Sequence, residues 1–268
     1  PPNPVRSLEP LGNETTLNKI TRDDIVAFQD KYYRPDSMII AVVGDIKKDQ
    51  VVELFKKNFG SWKKDGTAPL FHISPVELPK ERIRKVINMP GKSQVEIAIG
   101  SKGLSRTNPD YYAAVVMNYI LGENTLGSRM GLQIRDKEGL AYGVSSYFYP
   151  SIGEGPWVVR MGVNPKNVER AVEAALKEIK RIQDSPVTDG ELDDARKYLI
   201  GRLPVSLETN SGIASMLITE ELYGLGLDFV EKFPKIYQSI TKEQIQKAAK
   251  KYLHPDRLVI IIAGPYEK

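Results

Sequence analysis

Cysteine is absent from the 268-residue sequence. That excludes disulfides, a thiol nucleophile and any Cys-ligated zinc or iron–sulfur site, and it leaves the redox compartment open. Histidine is scarce: His72 and His254 are the two present, 182 positions apart. A zinc hydrolase site needs at least two imidazoles brought together by a short or helical spacing, and this sequence has no such pair. No apolar run approaches the ~20 residues of a membrane-spanning helix. The longest without a tyrosine, 38–43 and 258–263, hold six residues each. Charge of one sign is not in excess: 38 basic and 34 acidic residues are interspersed, net +4, so no nucleic-acid footprint is indicated. Gly (21) and Pro (18) are too few for a collagen-like or low-complexity chain. The start, Pro1-Pro2-Asn3-Pro4, carries neither Met nor a charged-then-apolar leader, so a processed chain or a piece of a longer one is expected. A soluble protein, cytoplasmic or periplasmic, is the expectation.

What is present is a repeat. Residues 19–44 read KITRDDIVAFQDKYYRPDSMIIAVVG, and residues 239–264 read SITKEQIQKAAKKYLHPDRLVIIIAG. At an offset of 220 without gaps, nine positions are identical, among them Thr21/Thr241, Ile25/Ile245, Tyr32/Tyr252, Pro35/Pro255, Ile40/Ile260 and Gly44/Gly264. Each copy predicts a helix N-capped by its Thr, a stop at its Pro, and an apolar strand buried on both faces. The second copy closes a unit of about 200 residues. The first should close one too, but fewer than 65 residues precede its end. The expected organisation is therefore the tail of one unit (1–62), a linker (63–81) and a complete second unit (82–268). Without a covering sheet, the first copy's strand at 38–43 would be an aggregation or swapping hazard.

Between the copies, 46–60 predicts an amphipathic helix with Val51, Leu54, Phe55 and Phe59 inward. Residues 82–89 and 94–100 alternate and predict strands paired around the Pro90-Gly91 turn. Helices are expected at 110–121 and 127–138, with Gly139 as C-cap. Strands at 141–149 and 156–163 form a second pair. Asn164 caps a helix at 166–184, a Thr188/Glu191 capping box starts another through Arg202, and 210–222 and 227–236 are helical. Strand pairs first, helices segregated, and one returning strand fit an α+β two-layer sandwich: a mostly antiparallel sheet with helices on one face.

For chemistry, the segment from Gly122 to Arg129 resembles a phosphate loop but has Ser128 where the phosphate-binding lysine belongs, and it follows a helix rather than a strand. His72, His254, Trp62, Trp157 and the Asp193-Asp194 pair read as ordinary turn, packing and surface residues. Arg135 and Tyr142 stand out. Arg135 falls on the last turns of a helix, Gly139 breaks it, and Tyr142 starts the next strand. A fixed cation and a phenol at one end of a sheet can hold a carbonyl oxygen that becomes negative in a transition state. The plainer reading pairs Arg135 with a neighbouring carboxylate and packs Tyr142 into the strand.

Five stretches together resemble the pitrilysin/insulinase-type zinc metallopeptidases, the inverzincins that include processing peptidases. They are TLNKITRDDIVAFQDKYYRPDSMIIAVVGD, DYYAAVVMNYILGE, GSRMGLQIRDKEGLAYGVSS, TDGELDDARKYLIGR and the closing repeat. The R-x6-Y block, with G-L-A-Y inside it, is the most specific. The resemblance implies two homologous α+β halves facing each other. One carries H-x-x-E-H for zinc and the general base; the other contributes the R-x6-Y pair. It implies that Arg135 and Tyr142 bind the substrate carbonyl and stabilise the oxyanion. This sequence contains no H-x-x-E-H, so zinc is expected in the full-length protein or a partner half and not in this chain. The implied partners are a peptide or unfolded protein substrate and the zinc-bearing half, fused upstream or a separate subunit in a homo- or heterodimer; no nucleic acid and no membrane span are expected. The rival expectation is an inactive partner subunit of a heterodimeric peptidase, or a structural core subunit. A weaker one is a module capturing extended chains by strand addition.

Overall fold

The computed structural model describes residues 11–63, 66, 69, 73, 75 and 77–267. The linker expected at 63–81 falls partly outside these residues, and His72 does so altogether. The chain forms two compact units: residues 1–75 with 203–229, and residues 76–202 with 230–268.

The second unit is an α+β two-layer sandwich. Its strands are β1 (Ile83–Asn88), β2 (Val95–Lys102), β3 (Ala141–Phe148), β4 (Pro156–Val163) and β5 (Val259–Gly264). They form one sheet in the order β1-β5-β2-β4-β3. Only β1–β5 is parallel. β1 and β2 are therefore not the hairpin expected from the Pro90-Gly91 turn, because the returning strand β5 inserts between them. Local alternation shows that two strands exist; which strand lies beside which is decided by the burial a distant segment brings.

In this numbering the helices are α1 (Arg22–Tyr32), α2 (Lys48–Phe59), α3 (Tyr111–Asn118), α4 (Gly131–Lys137), α5 (Val168–Asp184), α6 (Asp189–Ser206), α7 (Asn210–Tyr223), α8 (Phe229–Ser239) and α9 (Lys242–Tyr252). One face of the sheet is closed by helices. On it Val95, Ile97 and Ile99 of β2, Trp157, Val159 and Met161 of β4, and Ile260 and Ile262 of β5 are buried. They share a core with Ala114, Met117 and Leu121 of α3 and its extension, Ala171, Ala175 and Ile179 of α5, and Ile245 and Ala249 of α9. Each fully buried Val, Ile or Leu side chain contributes about 1.5–3 kcal/mol relative to exposure. The opposite face, with Ala98, Gly100, Arg160 and Ile261, is open or half-open.

The two repeat copies form the same local structure. α1 and α9 share their boundaries at the offset of 220, as do the short turns Pro35–Ser37 and Pro255–Arg257. Thr21 and Thr241 each close a capping box, with Asp24 and Gln244. Tertiary environment then separates them. Ile245 is fully buried, whereas its counterpart Ile25 is 60% exposed; Ile260 is 2% exposed and Ile40 52%. The expectation of an apolar strand buried on both faces fails at 38–43, which has no ladder partner among the described residues, and holds for one face of β5, where Ile260, Ile262 and Gly264 are buried while Val259, Ile261 and Ala263 are half-buried. The reason is that a central strand is made by its neighbours, and the described residues of the first unit offer none there. α2 fails in the same way: Leu54 and Phe59, expected inward, are exposed.

Candidate functional site

The site is assembled by the turn from α4 into β3. Gly131 opens α4 where a Cβ would lie 2.1 Å from the Thr125 carbonyl oxygen, so only glycine fits that approach. α4 is not the regular helix expected at 127–138. Its turns are wide, with the Glu138 N–H on the Gln133 carbonyl and the Leu140 N–H on the Ile134 carbonyl. Such turns occur mostly as short insertions, frequently at functional sites. Gly139, at φ +60°, then reverses the chain.

β3 begins with a bulge. Ala141 pairs with Val163 and Gly143 with Gly162, leaving Tyr142 as the extra residue. Ala141 and Val144 are buried on either side, while Tyr142 is 87% exposed. The plainer reading, in which Tyr142 packs in the strand, therefore does not hold. The bulge turns its ring into solvent, where it does no packing. Arg135 donates through Nε to the Tyr142 carbonyl at 2.9 Å and meets Asp136 through Nη1 at 3.0 Å. The two residues singled out in the sequence are thus tied together, through guanidinium and backbone.

Further residues, missed in the sequence, build the platform. β3 is an edge strand, yet three alternate carbonyls along it are occupied by side chains: Tyr142 by Arg135, Val144 by Thr125 at 3.1 Å, and Ser146 by Asn118 at 2.9 Å. Strand addition along this edge would have to displace them, which counts against the module that captures extended chains in that way. Asn118 also accepts from Ser146 Oγ and Trp157 Nε1, each at 2.8 Å. The signal for it was a lone amide in the apolar run YYAAVVMNYIL; buried amides need partners.

The phosphate-loop look-alike has a structural use. Ser128 Oγ accepts from the Gly131 N–H, and Arg129 makes a bidentate pair with Glu191 at 2.6 and 2.9 Å. Glu191 also forms the expected capping box with Thr188. Burial alone would raise the Glu191 pKa, but Arg129 and the Thr188 N–H outweigh it and hold the carboxyl at about 2. His254 sits beside Arg257, its Nδ1 3.3 Å from Nη2, and burial followed by that cation lowers its pKa. Among the described residues no three His, Cys, Asp or Glu side chains are grouped to hold a metal ion, and no helix is long and apolar enough to cross a membrane. Among the described residues the donor set does not fit a catalytic zinc ion.

Comparison with known proteins places this architecture. An uncharacterized zinc protease of Bacillus subtilis is 28% identical over 215 residues, covering 80% of this chain and 51% of that protein. The beta subunit of the mitochondrial-processing peptidase of Saccharomyces cerevisiae is 28% identical over 250 residues, covering 88% and 53%. The chain spans about half the length of these curated relatives. The crystal structure of a peptidase M16 inactive domain from Pseudomonas fluorescens superposes with a TM-score of 0.84 at 30% identity, covering 95% of this chain and 60% of that one. The family described as the peptidase M16 inactive domain matches residues 19–199. With the matched segment spanning two thirds of the sequence, the chain belongs to the M16 peptidase family, as its inactive domain.

Proposed function

We propose that this chain is the non-catalytic half of a zinc-dependent endopeptidase and that Arg135 and Tyr142 bind the carbonyl of a peptide or unfolded protein substrate. The observation that carries the reading is the bulge: an aromatic side chain 87% exposed, on a residue excluded from the ladder and tethered to a guanidinium by its own carbonyl. Nothing in packing requires a tyrosine there. Its phenol donates one hydrogen bond. The Arg135 Nη2 has no partner among the described residues and offers a charge-assisted one. Two such donors on one oxygen favour the tetrahedral, negatively charged state over the planar carbonyl, which is how an oxyanion site lowers a barrier.

Zinc and the general base belong, on this reading, to a homologous half, either fused upstream or a separate subunit. The first repeat copy supports that arrangement. Its exposed apolar face has the residue pattern that, in α9 and β5, is buried by a sheet and two helices. Residues 1–62 are accordingly the tail of the zinc-type half, 63–81 a linker and 82–268 the complete second half. The test is reconstitution with the zinc-bearing half. Arg135→Ala or Tyr142→Phe is expected to lower kcat by ~10²–10³-fold, the scale of losing one oxyanion donor. Unchanged turnover returns both residues to a structural role.

A further inference from the structure

Five residues beyond Tyr142 on β3, Tyr147 borders a cavity of about 120 Å³. Tyr111 and Val115 of α3 and Phe148 supply its apolar and aromatic wall. Asn118, Glu123 and Arg202 supply its polar part, the last two paired at 3.0 Å through Arg202 Nη1. No other hydrogen bond of Arg202 is present among the described residues, so Nε and Nη2 remain as donors. Arg106 stacks on the Tyr111 ring, 4.1 Å from its centroid, and fixes that wall. The cavity thus combines an aromatic lining with an arginine that still has N–H groups to give.

We propose that this cavity is a subsite for one large apolar side chain of the peptide, with Arg202 donating to the backbone carbonyl of the same residue. The inference rests on the reading that the peptide is held at Arg135 and Tyr142. A strand and an extended peptide advance by the same ~3.4 Å per residue, so five residues of β3 span about 17 Å. A chain whose carbonyl lies at Tyr142 and which runs alongside β3, without pairing to its occupied edge carbonyls, therefore brings the fifth residue beyond that point to the cavity. The lining selects for Phe- or Leu-like side chains over small polar ones, because apolar surface buried against Tyr111, Val115 and Phe148 is favourable whereas a hydroxyl buried there without a hydrogen bond is not.

Fluorescence anisotropy of the 268-residue chain tests this with short labelled peptides of Gly, Ser and Lys, carrying either one Phe or Ser in its place. The Phe peptide is expected to bind at least about tenfold more tightly. Val115→Phe fills the cavity and brings the ratio towards one. Arg202→Gln, at a half-exposed position that leaves folding intact, lowers it severalfold, because only the seated Phe side chain brings its carbonyl to Arg202. Tyr142→Ala weakens both peptides by one factor and preserves the ratio. No preference or no binding in the unmodified chain, or a preference that survives both cavity variants, overturns the assignment. If Tyr142→Ala changes nothing while the cavity variants abolish the preference, the cavity stands and the role given to Tyr142 fails.

Discussion

Asn118 makes three hydrogen bonds in the core of the second unit, and each partner is itself buried or on β3. Asn118→Leu would leave Trp157 Nε1, Ser146 Oγ and the Ser146 carbonyl unpaired, at about 1–3 kcal/mol each. The expected loss is on the order of 3 kcal/mol in urea unfolding; a loss below about 1 kcal/mol would mean water replaces the amide. Glu191 makes a pH prediction. Its folded pKa of about 2 lies below the ordinary 4.5. Its contribution is therefore fully present above pH ~4.5 and is lost as pH falls from there towards 2. At about 1.4 kcal/mol per unit this is on the order of 3 kcal/mol. Glu191→Gln should lower stability at neutral pH and flatten that acid limb, and a limb of unchanged steepness would assign the acid sensitivity elsewhere. At this scale the sequence was uneven. Arg135 and Tyr142 stood out by type and spacing, and only the family resemblance gave them a role. Asn118 and Thr125 were not, because their partners lie on a strand whose position depends on the whole sheet.

The elements were legible wherever the cause is local. Capping threonines, stopping prolines and the C-capping Gly139 mark the ends of α1, α9 and α4 within a residue or two, since each acts within one turn. The failures were non-local: β1 beside β5 instead of β2, the wide turns of α4, and the exposed stretch 38–43. The repeat provides an internal control for this distinction. Ile25 and Ile245 occupy equivalent positions on helices with identical boundaries, and only the second is buried. Thermal melts of the chain should therefore respond asymmetrically. Ile245→Ala or Ile260→Ala should cost about 2–5 kcal/mol, whereas Ile25→Ala or Ile40→Ala should stay within about 0.5 kcal/mol. Once the homologous half is bound, the first-copy substitutions should become costly as well. Equal effects of both sets in the chain alone would contradict the exposure of the first copy.

At the scale of the whole molecule, a sheet-and-helix unit carries an exposed bulge at Tyr142, while the first repeat copy presents apolar residues whose counterparts in the second copy are buried. A two-half peptidase accounts for both features, with the zinc chemistry outside these residues. The most direct measurement is cleavage of a quenched fluorescent peptide by this chain alone, by the zinc-bearing half alone, and by the two together, with and without a chelator. The account predicts chelator-sensitive hydrolysis only when both are present, reduced ~10²–10³-fold by Tyr142→Phe. Hydrolysis by this chain alone, or a mixture in which Tyr142→Phe and Arg135→Ala turn over like the unmodified protein, would contradict it.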